Sequence, residues 1–81
     1  MHREDVVSSN VAFYSFDETS NMLEIGYLSG YLDEIRIYRY SDVSASVVNQ
    51  LREALSKGMF VCYNIAFKYS YEFIGYETDS E

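Results

Sequence analysis

With 81 residues and a net charge of −7, thirteen acids against six bases, this chain has the length of one small acidic domain. A domain of this size buries only roughly 60% of the surface of its unfolded chain, so its core needs large side chains, and nine Tyr and five Phe supply them in the absence of Trp. The charge disfavours non-specific binding to phosphate backbones, a single cysteine (Cys62) excludes an internal disulfide, and no apolar run approaches the roughly 20 residues of a membrane span.

The opening Met-His-Arg-Glu-Asp lacks the basic-then-apolar layout of a signal peptide. Together with the lone cysteine, this makes the cytoplasm the expected address. Residues 1–6 are expected to form a flexible N-terminus, 7–76 a single domain, and 77–81 a disordered acidic tail. Val11 to Asp17 is rich in β-branched and aromatic residues and predicts a strand. Glu18-Thr19-Ser20-Asn21 is a polar turn. Met22 to Leu28 predicts a second strand, with Leu23, Ile25 and Tyr27 on one face by period-two alternation. Glu34 to Tyr40 predicts a third, with Ile35 and Ile37 on one side and Arg36, Tyr38 and Tyr40 on the other.

The period then lengthens. Val47, Val48, Leu51, Ala54 and Leu55 form one helical stripe, with Ser44 or Ser46 as its N-cap and Gly58 as its C-cap. From Phe60 to Tyr71 the pattern fits a short second helix, with Phe60, Asn64, Ile65 and Phe67 facing inward, better than a strand. A sheet with one apolar face needs a cover, and a striped helix needs a sheet. The expected fold is α+β: a three-stranded antiparallel β-meander followed by one long and one short helix packed on one face.

In this order the residues resemble the KTSC domain, a short module named after the C-terminal region of some lysyl-tRNA synthetases. Val7-Ser8-Ser9-Asn10-Val11 is similar to the family's opening, and Phe16-Asp17 to the end of its first strand. Leu23, Ile25 and Tyr27 resemble its second strand, and Gly30 its turn. Tyr38-Arg39-Tyr40 with Val43 resembles its central signature. Leu51, Ala54, Ser56, Lys57, Gly58 and Phe60 resemble its helix and helix end, and Ile65, Tyr69, Tyr71 and Ile74 its closing segment. Ser44 stands where the family usually has Pro, and Cys62 where Asn is common. Extra residues around Tyr31 to Ile35 lengthen the second hairpin. The resemblance implies no established activity; attachment to a tRNA synthetase implies a role in RNA binding.

Catalysis has little to work with. Nucleophilic chemistry needs a nucleophile beside a base, but Cys62 and His2 are the sole Cys and His, and His2 lies in the terminal segment. Cys62 is expected to be a small buried apolar group. Structural zinc needs four ligands, and no glycine-rich phosphate loop is present. No cofactor, metal or enzymatic activity is expected.

Three features point to binding. Arg36, Tyr38 and Tyr40 share a face, with Arg39 between them; exposed, they could stack bases. The other reading packs the Tyr rings beneath the helix with their hydroxyls at the rim. Asp33, Glu34 and Asp42 are the local acidic candidates, in and near the lengthened hairpin that also carries Tyr31; the bland reading of the charge is solubility. Finally, nine Tyr exceed what so small a core can hold, and exposed Tyr is enriched at protein interfaces. The leading expectation is a non-enzymatic module for a protein partner. Its narrower form is a phage or mobile-element inhibitor, of the anti-CRISPR kind, of a nucleic-acid-handling host protein. The alternative is an accessory domain binding tRNA or single-stranded RNA through Tyr38 and Tyr40. A third reading is a homodimer joined at a sheet edge.

Overall fold

The structure, a computed structural model, describes residues 3–29 and 34–78. It is an α+β fold with five strands and two helices: β1 (Arg3–Asp5), β2 (Val11–Asp17), β3 (Met22–Leu28), β4 (Glu34–Tyr40), α1 (Ala45–Glu53), α2 (Lys57–Asn64) and β5 (Tyr71–Thr78). The strands form one antiparallel sheet in the order β1-β2-β3-β4-β5. The expected meander is present in β2, β3 and β4 and is extended by a strand at each edge. Both helices lie in the connection from β4 to β5 and cross one face of the sheet.

Local chemistry sets the boundaries. Asp17 accepts a hydrogen bond on Oδ1 from the Thr19 N–H at 3.0 Å, opening the turn to β3, and Asn21 completes that turn at φ 58°. Ser44 caps α1 and Ser56 caps α2, each hydroxyl accepting from the N–H three residues on. Gly58 is therefore not the C-cap of the first helix. It sits in the first turn of α2, where a Cβ would come within 2.2 Å of Asn10 Oδ1 and 2.7 Å of Ser8 Oγ. A missing side chain lets α2 approach the loop between β1 and β2. The helices are nearly equal, nine and eight residues, not one long and one short.

The helix-facing side of the sheet carries the main core. Val11 and Tyr14 of β2, Leu23 and Ile25 of β3 and Tyr40 of β4 bury against Val43, Val48, Leu51, Val61 and Ile65. Of the expected helical stripe, Val48 and Leu51 are buried while Leu55 is fully exposed, because α1 ends at Glu53. Of the residues expected to face inward from a second helix, Ile65 is buried and Phe60 half-buried, but Asn64 and Phe67 are exposed.

The opposite face holds a second, smaller apolar site. Phe13 is buried against Gly26, where an added Cβ would meet its ring at 2.3 Å. The Arg3 guanidinium roofs that ring, 3.8 Å from its centroid, and forms a bidentate ion pair with Glu77. Arg3 lies on β1 and Glu77 on β5, the two edges of the sheet. In a flat sheet those edges would stand about 19 Å apart at the usual strand spacing. The ion pair therefore requires the sheet to curl, concave on the Phe13 side. Residues 3–5, expected to belong to a flexible terminus, are held by this pair and by Glu4, which accepts from Tyr14 Oη at 2.9 Å and from Arg52 of α1.

Candidate binding groove

β5 pairs with β4 so that Tyr71 stands opposite Tyr40, Phe73 opposite Tyr38 and Tyr76 opposite Arg36. Across the other ladder Tyr27 stands opposite Arg36 and Ile25 opposite Tyr38. Directly opposed residues share a face, so Tyr27, Arg36, Tyr38, Tyr40, Tyr71, Phe73 and Tyr76 all belong to the helix-facing side. The helices cover β2 and β3 but stop short of β5. The uncovered strip forms one wall of a groove of about 320 Å³, and Cys62, Ala66 and Phe67 from α2 and the turn after it form the other.

The rings interlock. Tyr38 makes an edge-on contact with Tyr27 at 5.8 Å between centroids and with Tyr71 at 5.6 Å, and a tilted one with Phe73 at 5.3 Å. Phe73 in turn meets Tyr76 edge-on at 5.2 Å. Contacts in this distance range are favourable for aromatic quadrupoles and fix ring orientation. The Tyr27 and Tyr40 hydroxyls share a hydrogen bond of 2.7 Å at the groove floor. Burial is the main cause that pushes both phenols above the usual Tyr range, Tyr27 the further of the two. The outer rings stay accessible: Tyr71 and Phe73 are exposed, Tyr76 is 62% exposed and Phe67 92% exposed.

Burial divides the Arg36–Tyr38–Tyr40 face residue by residue. Tyr40 packs into the core, Tyr38 is half-buried at the groove, and Arg36 is exposed. Arg39 points to the concave face and pairs with Glu24 at 3.0 Å. Glu34 and Asp42 flank the two ends of β4 and do not form one patch; Asp42 is exposed in the turn after the strand, at φ 60°. Tyr31 and Asp33 lie outside the described residues. Cys62, expected to be buried, is exposed on the groove wall, with Asn10 Nδ2 at 3.6 Å from its sulfur. Sequence pattern alone does not join Phe67, Tyr71, Phe73 and Tyr76 into one surface; the placement of β5 beside β4, and of the turn after α2 across from it, gathers them. Among the described residues no three His, Cys, Asp or Glu side chains come together as a metal site, and no helix is long and apolar enough to cross a membrane.

The KTSC domain family model matches residues 7–69. The chain belongs to the KTSC domain family. A crystal structure of a KTSC domain protein from Yersinia pestis is similar throughout: TM-score 0.80 at 28% identity, covering 91% of this chain and 97% of that one. No curated protein matches. The family match ends two residues before β5 begins, so the aromatic strand that completes the groove lies beyond it.

Proposed function

We propose that this KTSC domain is a non-enzymatic binding module that engages a protein partner through the aromatic strip of β4 and β5. One observation carries the reading: six aromatic residues, Tyr27, Tyr38, Tyr71, Phe73, Tyr76 and Phe67, line or continue a single partly open groove beside Arg36. Tyr, Phe and Arg are the side chains enriched where protein interfaces concentrate their binding energy. Stacked bases would use the same rings, but a nucleic acid also needs cations along its backbone. The strip offers Arg36, on a chain of net charge −7. The partner proposed is a protein with a cationic surface, such as a nucleic-acid-handling protein, on which a small acidic domain acts as an inhibitor or adaptor.

The test compares the wild-type domain with a Phe73→Ser/Tyr76→Ser variant as bait in a bacterial lysate. A protein retained in stoichiometric amount by the first and lost by the second is the expected result. Equal retention by both baits, or retention of RNA in place of protein, overturns the reading.

A further inference from the structure

Resting on that reading, we propose that the partner contributes an extended segment that adds to the open edge of β5 as a sixth strand, and that this segment alternates apolar residues with Lys or Arg. β5 ends the sheet order, so its outer backbone edge has no neighbouring strand among the described residues. Such an edge is a template for a strand from another chain. The residues of β5 dictate the chemistry. Tyr71, Phe73 and Tyr76 face the groove, so the incoming residues on that side are apolar or aromatic. Glu72 and Glu77 face the concave side, opposite Arg39 and Ile35. β5 carries no Lys or Arg. Arg39, the nearest cation to Glu72 across the ladder, is already held by Glu24. An added strand therefore meets an apolar row on one side and, on the other, Glu72, the carboxylate that Arg3 does not hold; with Ile74 bulged out as it is against β4, an alternating partner keeps both faces in step.

A second copy of this chain fits worse. Pairing β5 with itself about a two-fold axis in the register that uses all eight residues sets Glu72 opposite Glu77, twice by symmetry. Like charges directly opposed destabilise a ladder, and each copy adds a net charge of −7. The Arg3–Glu77 ion pair confines the footprint further: it occupies the concave face at the C-terminal end of β5, so the partner strand centres on Tyr71 to Tyr76.

The probes are three labelled ten-residue peptides: alternating Val and Lys, alternating Val and Glu, and Val and Lys in two blocks. Binding to the full chain is read by fluorescence anisotropy, and strand addition by amide hydrogen exchange across residues 71–78. The expected result is binding of the alternating basic peptide at least tenfold tighter than either other peptide, with slowed exchange in β5. Glu72→Lys is expected to weaken it five- to tenfold and to improve the acidic peptide. Equal binding of the block peptide without β5 protection shows charge attraction alone and overturns the proposal. So does β5 protection without peptide in a sedimenting dimer, or protection by single-stranded RNA. If the basic peptide shows no preference while lysate capture still depends on Phe73 and Tyr76, the strand-addition proposal fails and the binding-module reading stands.

Discussion

One face of the sheet has two halves with opposite fates. Over β2 and β3 the helices seal it: Leu23 and Ile25 are fully buried in one cluster with Leu51, Val61 and Ile65. Beyond Tyr40, which still belongs to the core, the same face is paved with aromatic rings and opens towards β5. Both halves are apolar, but they differ in shape. Aliphatic side chains fill the space beneath two short helices, and flat rings with polar tips tolerate water at one edge. What separates the sealed half from the open half here is therefore helix length. An α2 of eight residues covers roughly 12 Å of sheet at 1.5 Å per residue, and it ends before reaching β5.

Paired truncations test this contrast most strongly. Ile25→Ala removes a fully enclosed side chain and is expected to cost about 2–5 kcal/mol in urea unfolding. Phe73→Ala, at a residue 46% exposed, loses two ring contacts and is expected to cost about 1 kcal/mol. Equal losses at the two positions would make the open half a structural core and remove the basis for reading it as a binding surface.

Two glycines sharpen the comparison through a different mechanism. Gly26→Ala places a methyl 2.3 Å from the Phe13 ring, which is buried and roofed by Arg3, so the ring has little room to yield. Overpacking of this kind costs about 1–3 kcal/mol. Gly75 lies on the same concave side, on β5 at its irregularity with β4; a Cβ there meets nothing within 4 Å, but φ is 151°, a conformation that other residues rarely adopt. Gly75→Ala should destabilise by a backbone cost of about 1–2 kcal/mol. A Phe13→Leu background separates the two in a double-mutant cycle: it is expected to relieve Gly26→Ala and to leave Gly75→Ala unchanged.

How legible each half was in the sequence follows the same division. β3 and β4 are readable to the residue because they alternate between faces, and β2, despite its irregularity between Val11 and Phe13, because β-branched and aromatic residues fill it. β5 is not, since Ile74 and Gly75 break its alternation and the aromatic residues before it mimic a helical face. β1 is illegible for another reason: Arg-Glu-Asp has no strand propensity, and its pairing rests on tethers supplied by Phe13, Tyr14, Arg52 and Glu77. Gly58 read as a stop signal because its actual constraint, contact with Ser8 and Asn10, is non-local. The groove was half visible. Arg36, Tyr38 and Tyr40 declare a shared face on their own strand, but the rings that make the face a groove arrive from β5 and the turn after α2 only through topology.

The smallest predicted effect concerns the clasp that curls the sheet. The Arg3 hydrogen bonds hold the Glu77 carboxyl below the ordinary carboxylate range. A group with a lowered native pKa stabilises the fold above its unfolded value, roughly pH 4.3, and that contribution fades as pH falls through the native value. Both partners are more than one third exposed, so solvent screens the pair and the contribution is about 0.2–1 kcal/mol. Glu77→Gln should therefore lose that amount at pH 7, the deficit against wild type should close below about pH 4, and 1 M salt should shrink it at neutral pH. A deficit that persists unchanged at pH 3 would mean that Glu77 supports the strand through packing, and that the two edges are drawn together by the covered half of the sheet without help from their charges.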